Sequence, residues 1–269
     1  MENINNLKPK TSQGFDNIST ILLQNLKNEL CSPLTIVINQ MIETGQFPDI
    51  LKIAKVTPIY KKDDPTLVSN FRPISVLSSI SKVFEKVIFK QIHHYFKINN
   101  LYYSGQYGFR EMHSTQLAVV ELIDRIITDM DSGKVPLNIF IDLSKAFDTI
   151  DHDILLHKLH YYGIRNSELK ILQSYLSNRK QYVSINNMKS HELLITTGVP
   201  QGSILGPLLF IIYTNDLPYA SSMYYPIVYA DDTTLFATLN TFNNNNFRSN
   251  HELEKIRSID TGVFQAKTL

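Results

Sequence analysis

The sequence predicts an α+β fold, and three observations carry the prediction. Helical apolar spacing runs through two long stretches, 78–98 and 114–130. Short β-type apolar segments recur at 55–60, 138–143, 181–185 and 226–238. These strands and helices do not alternate in the steady rhythm of a parallel α/β sheet, and no internal repeat is visible.

In chain order, the first thirty residues are polar and then weakly helical, and Pro33, Gly45 and Pro48 divide the next stretch into short elements. KVTPIY reads as a strand ending in the turn-like KKDDPT. Over 78–98, Ile80, Phe84, Val87, Ile88, Ile92 and Tyr95 or Phe96 recur at helical spacing. Over 114–130, Ser114 is placed to cap, and Leu117, Val120, Ile123, Ile127 and Met130 share one face. Asp131-Ser132-Gly133 stops that helix. NIFIDL alternates, with Phe140 and Asp142 on one side and Ile139, Ile141 and Leu143 on the other. A helix is expected from about Asp151 to Tyr162, ended by Gly163. QYVSI and ELLIT flank Asn186-Asn187 as a ribbon or hairpin. A further helix begins between Ser203 and Pro207, with Pro207 in its first turn. PIVYA, then two aspartates, then TTLFAT read as strand, tight turn and strand. The tract 240–246 is polar, low in complexity and expected to be a loose loop.

A chain of 269 residues with 43% hydrophobic and 19% charged residues can bury a real core. Cys31 is the single cysteine, which excludes an intrachain disulfide and favours a reducing compartment. No secretory leader pattern opens the chain, and the greasiest run, ILGPLLFIIY, is broken by Gly206 and Pro207 and too short to span a bilayer. An intracellular protein, not secreted and without a membrane partner, is therefore expected. Net charge is only +1, yet residues 50–110 carry ten Lys or Arg against three acids, a local +7. Such a lobe suits phosphate contacts. The plainer reading, solvent-facing lysines on a helix, holds for the stretch 82–97.

Asp142 ends one strand; Asp231 and Asp232, 89 residues or more further on, lie in the turn after another. Carboxylates gathered at one sheet edge repel unless a cation joins them. Mg²⁺ takes oxygen ligands, needs few carboxylates and leaves room for water and phosphate. No His or Cys is placed to suggest zinc. Two such ions clamp the attacking and leaving oxygens of a phosphoryl transfer. A plain turn is the alternative, since Asp favours turns.

Six collinear segments add a resemblance. FIDLSKAFDTIDHDILLHKL, GVPQGSILGPLLFIIYTNDL and YADDTTLF resemble the three palm motifs of reverse transcriptases, in the family's order and in the style of non-LTR (LINE, jockey-like) retrotransposons. Upstream, FPDILKIAKVTPIYKKDDP, NFRPISVLSSISKVFEKVI and QYGFREMHSTQLAVVELI resemble the fingers motifs. The likeness covers roughly residues 10–240. It implies a right-hand polymerase fold of fingers and palm, with an antiparallel palm sheet. The implied division is fingers at 1–135, a first part of the palm at 136–163, a connection at 164–197, the palm with nucleotide-pocket helix and YADD hairpin at 198–239, and a divergent tail at 240–269.

The resemblance also implies roles. Asp142, Asp231 and Asp232 match the catalytic metal-binding triad, with the Leu143 carbonyl beside it and two Mg²⁺, replaceable by Mn²⁺, as cofactors. Phe147 matches the steric gate that excludes a 2′-hydroxyl. Gln201 and Gly202 match the nucleotide pocket, Arg72 the arginine that holds the triphosphate, and Lys61 or Lys62 a second cation. Arg110 is expected to help hold template backbone, although an ordinary surface arginine is nearly as good a reading. His113 and His152 are read as structural. The implied partners are an RNA template, a DNA primer and dNTPs. Past the YADD hairpin the pattern drifts, Lys267 is a poor match to the family's acid lysine, and a fragment without thumb or endonuclease is expected. A non-catalytic remnant that at most binds RNA is the main alternative, and a two-metal nuclease a weaker one.

Overall fold

The structure is a computed structural model that describes residues 1–143, 146–186, 188–239 and 252–255. The loop expected at 240–246 and Lys267 lie outside the described residues. The chain divides into two compact units: Met1–Tyr95 with Asp151–Gly206, and Phe96–Ile150 with Pro207–Leu269.

The first unit opens with three helices, α1 (Glu2–Asn5), α2 (Thr20–Asn25) and α3 (Lys27–Thr44). Gly45 ends α3 in the left-handed conformation, φ 68°. The strands β1 (Ile53–Tyr60) and β2 (Phe71–Leu77) pair antiparallel from Ala54↔Leu77 to Tyr60↔Phe71. Helix α4 (Ser79–Ile98) comes next. The chain later returns through α6 (His152–Tyr161), α7 (Asn166–Leu176), β4 (Arg179–Ile185), β5 (Met188–Lys189) and β6 (Leu193–Ile195). β4 runs parallel to β1, Ile53↔Lys180 to Val56↔Val183, and takes β5 and β6 antiparallel, so the expected ribbon forms. Asp151 caps α6, its Oδ1 accepting from the Asp153 and Ile154 amides at 2.9 Å each. The buried rings of Phe47, Phe84 and Tyr175 meet edge-on in the core, with centroids 6.1 and 5.1 Å from Phe47.

The second unit is built on a three-stranded antiparallel sheet, β3 (Val135–Asp142), β8 (Asp232–Leu239) and β7 (Tyr225–Tyr229), with β8 in the centre. Leu217, Tyr224, Val228, Leu235 and Ala237 form its buried cluster, with Leu137, Ile139 and Ile141 packed against it. The alternation read in NIFIDL thus turns Ile139 and Ile141 to the core. Helix α8 (Leu205–Tyr213) spans the boundary between the two units in sequence, and Leu208 to Tyr213 are all buried. A helix apolar all round belongs inside a protein.

Helix α5 (Thr115–Asp131) starts where expected: Ser114 Oγ accepts from the Leu117 amide at 3.3 Å. Its burial runs differently from a simple amphipathic reading. Leu117, Val120, Ile123, Ile127 and Met130 do share a face, but that face is exposed. Ala118 and Asp129 are buried, and Glu121, Leu122, Arg125 and Ile126 lie partly buried between them. Arg125 sits 3.6 Å from the centre of the Tyr225 ring and bonds Glu121 Oε1 at 2.8 Å, while Tyr107 Oη bonds Glu121 Oε2. The inward side of α5 therefore meets tyrosines, whose polar tips and ring faces accept charged partners.

Candidate active site

The acidic positions come together through strand register. Antiparallel pairing of β3 with β8 makes Asp142 the direct partner of Asp232, and β7–β8 pairing sets Tyr229 opposite Asp232 as well. In such a ladder, partner Cα atoms lie roughly 5 Å apart. Asp231 is half-buried in the tight turn beside them and Asp232 is exposed. The Asp142 side chain lies outside the described residues. Asp142, Asp231 and Asp232 all carry carboxylates, the donor chemistry of hard cations. Among the described residues, no group of three or more His, Cys, Asp or Glu side chains is gathered as a ligand set.

The turn itself is held from behind. Ala230 takes φ 59°, a left-handed conformation that side chains disfavour. The segment from Gly105 to Gly108 lies along it. Tyr107 N–H donates to the Val228 carbonyl at 2.7 Å and Val228 N–H to the Gly105 carbonyl at 2.8 Å. The buried Gln106 side chain accepts from the Gly108 amide at 2.8 Å and from the Ala230 amide at 3.4 Å. A Cβ on Gly108 would stand 2.1 Å from the Ala230 nitrogen, so only glycine lets the two backbones approach this closely. Sequence reasoning missed both Gln106 and Gly108. Both lie in the segment QYGFREMHSTQLAVVELI, whose resemblance to a family motif was the available signal.

Phe147 is half-buried, its ring 4.9 Å from Phe210 of α8 and edge-on to Phe109 at 6.0 Å. Leu143 is buried. Arg110 has local partners: Nη1 donates to the Tyr103 and Gln106 carbonyls at 2.9 and 3.1 Å, with the guanidinium 5.3 Å from the Tyr102 ring centre. Burial lowers its pKa from the ordinary value.

In the first unit, Arg72 lies exposed on β2, paired in register with Ile59, and its guanidinium has no hydrogen bond or ion pair among the described residues. Lys61 and Lys62 come directly after the neighbouring end of β1, where the Lys61 amide donates to the Asn70 carbonyl at 2.9 Å. The same strand β2 holds the Pro200–Ser203 loop, since Ser75 N–H donates to the Gln201 carbonyl at 2.8 Å. Gly202 takes φ 120°, and a Cβ there would lie 2.6 Å from the Ser75 carbonyl oxygen. Arg72, Lys61, Lys62, Gln201 and Gly202 thus belong to one unit. Asp142, Leu143, Phe147, Asp231, Asp232 and Arg110 belong to the other. The two histidines make backbone contacts: His152 Nε2 meets the Gly198 carbonyl at 2.7 Å and His113 Nδ1 the Glu111 carbonyl at 2.8 Å.

Comparison with known proteins gives the class. Residues 59–249 match the family described as reverse transcriptase (RNA-dependent DNA polymerase), and the chain belongs to that family. It is 33% identical over 257 residues to the probable RNA-directed DNA polymerase from transposon BS of Drosophila melanogaster, covering 90% of this chain and 28% of that protein. It is 33% identical over 232 residues to the probable RNA-directed DNA polymerase from transposon X-element of the same fly, covering 81% and 25%. With the RNA-directed DNA polymerase from mobile element jockey of Drosophila melanogaster it shares 29% identity over 210 residues, 78% of this chain and 23% of that one. The chain thus spans about a quarter of the length of these relatives. The resemblance to reverse transcriptases of non-LTR retroelements holds, and the mixed α/β architecture agrees with it.

Proposed function

We propose that this chain acts as the RNA-directed DNA polymerase domain of a non-LTR retroelement. It would extend a DNA primer on an RNA template: the primer 3′-hydroxyl attacks the α-phosphate of a dNTP, and pyrophosphate leaves. The observation that carries this reading is the cross-strand pairing of Asp142 with Asp232 beside the Asp231 turn. Asp142, Asp231, Asp232 and the Leu143 carbonyl would hold two Mg²⁺, which when bound supply a more acidic primer hydroxyl and charge neutralisation at the leaving group. The antiparallel sheet of the second unit is the palm in this reading. Arg72, with Lys61 or Lys62, binds the triphosphate through charge-assisted hydrogen bonds. Gln201 and Gly202 line the nucleotide, Gly202 by leaving its backbone uncovered. Phe147, braced by Phe210 and Phe109, presents a fixed ring beneath the sugar, where a 2′-hydroxyl would clash.

Primer extension on a heteropolymeric RNA tests the proposal. Asp231→Asn with Asp232→Asn is expected to abolish incorporation without loss of folding, and extension at the wild-type rate would remove it. Phe147→Val is expected to admit ribonucleotides; unchanged sugar selectivity would unseat the gate. The basic stretch 50–110 favours a second reading, an RNA-binding domain without catalysis. Salt-sensitive RNA binding with no incorporation, even in Mn²⁺, selects it.

A further inference from the structure

Glu85 of α4 is completely buried. Its Oε2 accepts from the Ile204 amide at 2.6 Å and the Leu205 amide at 3.3 Å, and its Oε1 from Ser81 Oγ at 3.1 Å. Those two amides open α8, where unpaired N–H groups and the helix dipole favour an anion. The loop leading into them is Pro200–Ser203. Ser203 Oγ donates to the Pro200 carbonyl and accepts from the Gly206 amide, both at 2.9 Å. The Gln201 carbonyl is held by β2. The loop is thus tied to a strand, to itself and to a carboxylate from a remote helix.

A buried carboxylate is costly unless compensated. The compensation here is incomplete. Arg179 of β4 is also fully buried, and its charge opposes the effect of burial on Glu85. Yet Arg179 makes one hydrogen bond, Nη1 to the Tyr175 carbonyl at 3.1 Å, and its Nε and Nη2 have no hydrogen-bond partner among the described residues. Replacing a buried ion pair with well-packed apolar side chains is often neutral for stability. What an apolar residue would not supply is an acceptor for the Ile204 and Leu205 amides.

We propose that Glu85 is a positioning residue for the nucleotide pocket: by capping α8 from α4 it fixes the backbone at Gln201 and Gly202, and so sets dNTP affinity. This rests on the reading of those two residues as nucleotide contacts. The test compares wild type with Glu85→Gln and with the apolar pair Glu85→Met, Arg179→Met, using amide hydrogen exchange over 199–206, thermal melting and primer-extension kinetics. Glu85→Gln is expected to speed exchange at Ile204 and Leu205 about tenfold, the effect of losing a charge-assisted acceptor. It should also raise the KM for dNTP severalfold while kcat and RNA affinity hold. The apolar pair, free of the buried charges, is expected to regain part of the melting temperature but keep the fast exchange and the high KM. Unchanged exchange in Glu85→Gln, or an apolar pair that restores KM along with stability, would overturn the proposal. A wild-type chain that extends no primer would instead sink the polymerase reading, and the exchange comparison would still judge the anchoring.

Discussion

Gly108 shows how one missing side chain sets the acidic turn. It faces the Ala230 backbone with no room for a methyl group, and Gln106 bonds both backbones. Gly108→Ala should push the Ala230–Asp231 turn away and lower primer extension at least about tenfold, in the way that small misplacements of reacting groups act; circular dichroism beside the rate assay separates this from unfolding. Glu85 supplies a pH prediction. Burial holds its carboxyl above the ordinary range, opposed by Arg179 and by the Ile204, Leu205 and Ser81 hydrogen bonds. A folded pKa above the unfolded one means that the folded state keeps the proton longer. Its stabilising contribution is present below the unfolded value, about 4.3, and is lost as pH rises through the folded value. The stability of wild type relative to Glu85→Gln, from denaturant midpoints, should therefore fall as pH rises through that window. The aspartates were legible in the sequence because each ends or turns an apolar strand. Gln106 was not, because its partner Ala230 lies 124 residues away. Glu85 could have been seen: with Ser81, Ile88 and Ile92 it sits at helical spacing on the stripe that α4 buries.

Helices α5 and α8 mark what periodicity can tell. The limits of α5 and its cap are written locally, and Ser114→Ala should cost about 1 kcal/mol in denaturant unfolding. Its apolar stripe is equally plain, but periodicity does not say which side the protein covers. That choice falls to Tyr107 and Tyr225, which engage Glu121 and Arg125. Ile127→Gln should accordingly change stability by less than about 0.5 kcal/mol. Arg125→Ala should cost more, since it removes the Glu121 bonds and the stacking on the Tyr225 ring; parallel melts of the two variants check the contrast. In α8, apolar residues on every side give no amphipathic signal, so only Ser203 and Pro207 located its start.

Across the whole chain, the charge distribution makes a prediction of its own. The +7 carried by 50–110 in a chain of net +1 should make RNA binding fall steeply with salt. Replacing Lys61, Lys62 and Arg72 with alanine should flatten the log–log salt dependence by about 0.7 for each phosphate those side chains neutralise, as a filter-binding titration would read. Among the described residues no helix is long and apolar enough to cross a membrane. The α+β class and the sheet carrying the acidic pair were legible because alternation, turn residues and helix caps are local. Residues 96–150 group with 207–269, while 1–95 group with 151–206, through pairings that no local pattern encodes. The parallel match of Ile53–Val56 with Lys180–Val183 bears on biogenesis. During synthesis at roughly 5–20 residues per second, β1 leaves the ribosome on the order of ten seconds before its neighbour exists. Until then one flank of that nascent hairpin stays an open edge, a template for wrong partners that lasts longer the more slowly the chain is made.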